Sequence, residues 1–167
     1  MKSDIKDIFQ NINEWLKFAE AKHAGLIVLN SGIIFGVLSI YKDYKTYVDW
    51  HFILATLIVI GISIFLSLIS FFPVTKNNID KSSRVDNPNV FFFGTLSKLQ
   101  ESDLKEELLK ITPNYTFDKF DDDLLNQIIV NAKITSNKYK LFKYSILMTA
   151  IGFGLPIVNV LIRLIWQ

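Results

Sequence analysis

Glu20 and Lys22 stand just before a long apolar run, and Asn30 follows inside it. An acid, an ammonium and an amide so placed suit two kinds of chemistry. They can ring a membrane interface, Lys22 meeting headgroups and Glu20 pairing with another helix, or they can hold an anionic ligand. A second polar set, Gln127, Asn131, Ser136, Lys138 and Lys140, lies in a stretch of helical periodicity. Asn131 and Lys138 are seven residues apart, so they share a helix face. If that face comes beside Lys22, amides and ammonium groups converge, which fits an anion carrying a hydrogen-bonding base. The other reading is a solvated basic face beneath anionic lipid.

Other chemistry is missing. The chain has no Cys, which excludes a disulfide scaffold, a thiolate metal site and a cysteine nucleophile. His23 and His51 flank apolar runs that put them at opposite faces of a membrane, so they cannot share a metal. There is no HExxH, no phosphate-binding glycine loop and no nucleophile elbow. Asp121, Asp122 and Asp123 resemble a metal cluster by composition, but consecutive helical residues point in different directions, and acids near a helix N-terminus are favoured by its dipole. Nothing points to an enzyme or a cofactor. A net charge of +2 is too small to argue for nucleic acid.

The elements that position these residues are helices, three of them in lipid. Half of the chain is hydrophobic, with 14 Phe, and the apolar residues fall in three blocks: 24–41, 51–73 and 144–166. A hydrocarbon core of roughly 30 Å takes about 20 helical residues. A buried helix of a soluble protein is usually shorter and carries a polar stripe. The second block shows only scattered Thr56, Ser63, Ser67 and Ser70. Arg163 is near enough to the end of the third block to snorkel to the interface. The segment before the first block is too long and too acidic for a signal peptide. Of the 18 Lys and Arg, 15 lie in residues 1–23 and 74–143, against Lys42, Lys45 and Arg163 elsewhere. The positive-inside rule then places the N-terminus and residues 74–143 in the cytoplasm, and residues 42–50 in an outer turn anchored by Tyr44, Tyr47 and Trp50, with Trp166 capping the far end.

Residues 1–23 form an amphipathic helix, with Ile5, Ile8, Phe9, Ile12, Trp15, Leu16 and Ala19 at three- and four-residue spacing and Ser3 or Asp4 as cap. No Pro or Gly interrupts it before Gly25, so it can run on into the first span. The polar run after Pro73, ending near Asn89, reads as a loop. VFFFGTLSKL is open between strand and helix. SDLKEELLKI is a helix capped by Ser102, with Leu104, Leu108 and Ile111 as its buried edge, ended by Pro113 and Asn114. From Asp118 to Gly152 nothing breaks a helix, and Phe120, Leu124, Ile128, Ala132 and Tyr139 fall on one face. The fold class is an all-α membrane protein: three transmembrane helices and a small cytoplasmic helical bundle.

Small residues recur in the spans: Gly32 and Gly36, Ser63 and Ser67, Ala150 and Gly154. They let backbones approach, either within one chain or between subunits. Asn30 and Asn159 are amides at membrane depth and should face other helices; they could line an ion path, but helix-to-helix bonding suits them better. Pro156 is expected to kink the third span.

Four segments then become recognisable together: WLKFAEAKHAGLIVLNSGIIFG, the Phe71-Phe72-Pro73 that closes the second block, FFFG at 91–94, and NAKITSNKYKLF entering the third. In this order around the spans they resemble the Pycsar transmembrane effector (PycTM) family over about residues 11–165. That family often has Asp where Glu20 stands, so Glu20 reaches further. The resemblance implies a bacterial anti-phage effector in the inner membrane, multi-pass with a cytoplasmic N-terminus. Its ligand would be a cyclic mononucleotide, cyclic UMP or cyclic CMP, made by a nucleotide cyclase that need not touch it. It would assemble as a homo-oligomer in the lipid bilayer and impair the membrane, giving abortive infection. The residues expected to bind the ligand are Trp15, Glu20, Lys22, Asn131 and Lys138, with the Phe91–Phe93 run as another stacking surface. Two alternatives are an adaptor membrane protein whose bundle docks another protein, and an effector answering a cyclic oligonucleotide.

Overall fold

The computed structural model describes residues 1–44, 48–72 and 88–165. Tyr47 and Trp166, expected as interface anchors, Lys45, and the polar run at 73–87 lie outside the described residues. Five helices are present: α1 Lys2–Asp43, α2 Trp50–Ile69, α3 Phe93–Leu96, α4 Glu101–Ile111 and α5 Lys119–Ile165. No strand occurs among the described residues. VFFFGTLSKL therefore contributes a short helix. α1, α2 and α5 are each long and apolar enough to cross a membrane. α1 is unbroken for 42 residues: no proline removes a backbone donor, and it runs on through Gly25, Gly32 and Gly36. α5 runs for 47 residues and includes Pro156.

The chain divides into two compact units, Met1–Ala19 with Pro73–Tyr139, and Glu20–Phe72 with Lys140–Gln167. In the first, Ile5, Ile8 and Ile12 of α1 pack with Phe93, Leu96, Leu99, Leu104, Leu108, Leu125, Ile128, Ile129 and Ala132. The α1 positions are the expected stripe. Two other edges differ from expectation. Ile111 is exposed, because α4 ends there and its last turn extends past the core. Phe120 is also exposed, and Leu125 and Ile129 join Ile128 and Ala132 instead, so the buried stripe of α5 is rotated from the one read in sequence.

Local hydrogen bonds set the helix ends. α4 is capped by Gln100, not Ser102: the Gln100 side chain accepts from the third helical N–H, while Asp103 Oδ2 accepts from the Gln100 N–H at 2.8 Å. Asp103 at the third position makes that start favourable. α1 already begins at Lys2, upstream of the expected caps, with Ile5 N–H bonded to the Met1 carbonyl at 3.0 Å. At the α5 start, the Asp118 side chain accepts from Asp121 N–H at 2.9 Å and Asp121 accepts from Asp118 N–H at 3.2 Å. Asp121 is buried and also accepts from the Tyr115 hydroxyl at 2.7 Å; Asp122 pairs with Lys105 at 2.8 Å. Lys2 Nζ meets Asp118 at 2.6 Å.

In the second unit, α2 starts at Asp49, whose side chain accepts from His51 N–H at 2.9 Å. The Asp49 N–H donates to Asn159 Oδ1 of α5 at 3.2 Å. At Gly152 α5 lies tightly against α2: a Cβ there would lie 2.7 Å from Ile60 Cδ1. Gly32, Gly36 and Gly154 have open space where a side chain would stand. Of the paired small residues, Ser63 bonds to α5 within the chain, whereas Gly32, Gly36 and Gly154 meet nothing.

Candidate functional site

Three rings meet in the first unit. Phe93 stacks on Tyr139 with centroids 4.8 Å apart and planes 19° apart. Trp15 approaches Phe93 at 5.5 Å and Tyr139 edge-on at 6.3 Å. Trp15 reaches them because it is one helical turn beyond Asn11 on α1, on the edge of the Ile stripe. Burial pushes the Tyr139 phenol above its ordinary pKa. Phe91 and Phe92 are exposed, while Phe93 is buried. The stacking surface foreseen for the Phe run is therefore divided: Phe93 is engaged with Trp15 and Tyr139, Phe92 leans on Phe93 with centroids 4.8 Å apart, and Phe91 is exposed.

The same unit holds a chain of amides. Asn131 Nδ2 donates to Asn13 Oδ1 at 2.7 Å, and Gln127 Nε2 donates to Asn131 Oδ1 at 2.9 Å. Asn131 is buried, and its backbone carbonyl accepts from the Thr135 hydroxyl at 2.7 Å. Lys138 is buried too, at 7% exposure. Asn11 Oδ1 is buried with no hydrogen-bond partner. Amide groups of both polarities, a buried cation and stacked rings can hold a planar base bearing an anionic group.

The five residues expected to bind ligand fall in both units. Trp15, Asn131 and Lys138 belong to the first; Glu20 and Lys22 belong to the second, where Lys22 Nζ lies 5.5 Å from the Phe142 ring centroid, a cation–π distance. Asn13, Asn11 and Gln127 join the polar set. Gln127 was visible as part of the α5 polar run. Asn13 and Asn11 were not, since each is a single amide interleaved with the apolar stripe. Among the described residues no group of His, Asp and Glu could hold a metal. The second unit has a cavity of about 290 Å³ lined by Val37, Ile40, Val48, Ile53, Pro156 and Val160, with other apolar residues. It offers no polar group to a charged ligand.

Three helices long and apolar enough to cross a membrane, with no strand among the described residues, define an all-α membrane protein. A family profile described as the Pycsar effector protein domain (PycTM) matches residues 4–165. The chain belongs to that family, and so to the membrane effectors of antiviral defence, which are not a class of enzymes. It is similar to a Pycsar effector protein, RsPycTM of a Rhizobium species, with 29% identity over 154 residues, covering 85% of this chain and 84% of that protein. No solved structure matches.

Proposed function

We propose that this protein senses a cyclic mononucleotide, cyclic UMP or cyclic CMP, through its first unit and impairs the inner membrane through its second, causing abortive infection. The first unit faces the cytoplasm and the N-terminus lies on the same side, an orientation supported by the excess of Lys and Arg in residues 1–23 and 74–143. One observation carries this reading: the buried amide and cation, Asn131 and Lys138, share a unit with the Trp15–Phe93–Tyr139 ring cluster. A base would stack against Trp15 and exchange hydrogen bonds with the Asn131 amide in place of Asn13 or Gln127, while Lys138 meets the phosphate. To act, the ligand must favour the membrane-impairing state over the resting one by its differential affinity. Copies assemble through the Gly32 and Gly36 face, where nothing fills the space within one chain. A nucleotide cyclase supplies the ligand without needing contact.

The test has two parts. Calorimetric titration of purified protein with cyclic UMP, cyclic CMP and cyclic dinucleotides should give heat with a cyclic pyrimidine mononucleotide. Cells expressing the protein and supplied with that nucleotide should depolarise. Lys138→Ala should abolish growth arrest while leaving membrane insertion intact. Silence toward every nucleotide would favour an adaptor role, and a response confined to cyclic dinucleotides would reassign the ligand class.

A further inference from the structure

In the second unit, the buried side chains include Leu26, Ile53 and Ile60 but also a polar set. Ile58, Phe65, Leu147 and Phe153 point outward and are exposed, whereas Asn30 of α1, Ser63 and Ser67 of α2, and Ser145 and Thr149 of α5 are buried. Lipid tails solvate apolar surface as well as leucine does, so three helices in a bilayer gain nothing from enclosing hydroxyls unless those hydroxyls bond. Part of this set does. Asn30 Nδ2 donates to Ser63 Oγ at 2.9 Å, Ser63 Oγ donates to the Ser145 carbonyl at 2.7 Å, and the Thr149 hydroxyl donates to Asn30 Oδ1 at 2.9 Å.

The next level does not. Contacts of Ile60 with Gly152 and of Ser63 with Thr149 and Ser145 show α2 and α5 running antiparallel. Ser67, one turn past Ser63, and Ser145, one turn before Thr149, therefore lie together beyond the bonded layer. The Oγ of each is buried and has no hydrogen-bond partner. A helical hydroxyl can always turn back to the carbonyl four residues earlier, as Thr56 does to Phe52 at 2.8 Å. Two that do not, side by side, are hydroxyls prepared for another partner. His23 lies seven residues before Asn30 and is enclosed edge-on by Phe142 at 5.5 Å and Phe71 at 6.4 Å, an aromatic stop at one end of the seam.

We infer that the Asn30–Ser63–Ser67–Ser145–Thr149 seam is the shut form of a water path, and that the Ser67 and Ser145 hydroxyls are its first hydration sites. This rests on the membrane-impairing role proposed above and names the path. Hydroxyls and one amide present dipoles of both signs and no fixed charge, so what passes is water and small ions of either sign.

The absence of native Cys makes the test direct. Single substitutions Ser67→Cys and Ser145→Cys, with the outward-facing Phe65→Cys and Leu147→Cys for comparison, are treated in membrane vesicles with cationic and anionic methanethiosulfonates. These reagents attack thiolate, which forms only where water reaches. Each is measured alone, with cyclic UMP or cyclic CMP, and in a Thr149→Val background that removes the donor to Asn30 without nucleotide. Thr149→Ser, which keeps the donor, serves as the folded control and stays tight. The seam predicts labelling of Ser67→Cys and Ser145→Cys that rises at least about tenfold in the opened state with both reagents, and no rise at the outward positions. Depolarisation without labelling of either seam cysteine overturns the path and leaves the nucleotide reading standing. If neither nucleotide depolarises, the Thr149→Val arm decides: a leaky, labelled seam upholds the path while the nucleotide reading fails, and a tight, unlabelled one overturns the path.

Discussion

Asn131 uses both ends of its amide inside the first unit, donating to Asn13 and accepting from Gln127. Removing it leaves Asn13 Oδ1 without its partner in a part-buried place. Asn131→Ala should therefore lower unfolding stability by about 1–3 kcal/mol, read by thermal melting in detergent, and Asn13→Ala should cost a similar amount, because it leaves the Nδ2 of buried Asn131 without an acceptor while Gln127 bonds only its Oδ1. Equal melting of Asn131→Ala and the parent would mean that the amide chain is not formed in solution. The seven-residue spacing of Asn131 and Lys138 was legible because helical period assigns residues to faces. Period says nothing of what faces them across the chain. Asn13, more than a hundred residues away in sequence, could not be paired with Asn131, and Trp15 could be read as a stacking group without showing that Phe93 and Tyr139 already occupy its neighbourhood.

Helices α2 and α5 touch where glycine allows it. Gly152→Val would drive two methyl groups into buried Ile60, and overpacking of this kind usually costs about 1–3 kcal/mol. The expected result is a lower melting temperature in detergent with unchanged insertion, whereas Gly154→Val, facing open space, should melt like the parent. If the two behave alike, the close approach at Gly152 is wrong. Composition made the spans readable, since their apolar runs are long and unbroken. It singled out Ala150 and Gly154 by their spacing and passed over Gly152, because closeness depends on which face of α5 turns to α2. The cap of α4 was placed two residues late for a related reason: Ser102 is a good cap by type, but Asp103 reaching back to Gln100 makes a stronger reciprocal pair. Phe120 and Ile111 were assigned inward by period alone, and both lie at helix ends where the core runs out.

At the level of the whole chain, stability should depend on pH at both extremes. Hydrogen bonding to Lys2 holds the Asp118 carboxyl below its ordinary range, so its contribution is complete above that range and is lost as pH falls through the lowered value. Lys2 is raised by the same bond, and Tyr115 is raised by its bond to Asp121; their contributions hold below their ordinary values and are lost as pH rises through the raised ones. Melting temperature should be flat near neutrality, with small acid and alkaline losses because the Lys2–Asp118 pair is exposed and Tyr115 is only partly buried. Asp118→Asn should flatten the acid limb, and an unchanged acid slope would show that the Lys2 pair is absent. Class and family were legible because hydropathy and motif order survive in sequence. The interior of the second unit was only half legible: Asn30 announced itself as an amide in an apolar run, while Ser67 and Ser145 are ordinary span residues until their surroundings are known.

The ring cluster also gives the protein an optical property of its own. Trp15 sits within energy-transfer range of Tyr139, and its indole is flanked by Phe93 and Phe18, whereas Trp50, in the other unit, pairs with Tyr41. With Trp50 and Trp166 replaced by Phe, tryptophan emission comes from Trp15 alone. A base seated against that indole would quench it, so occupancy of the first unit can be followed in unlabelled protein while the state of the bilayer is recorded separately.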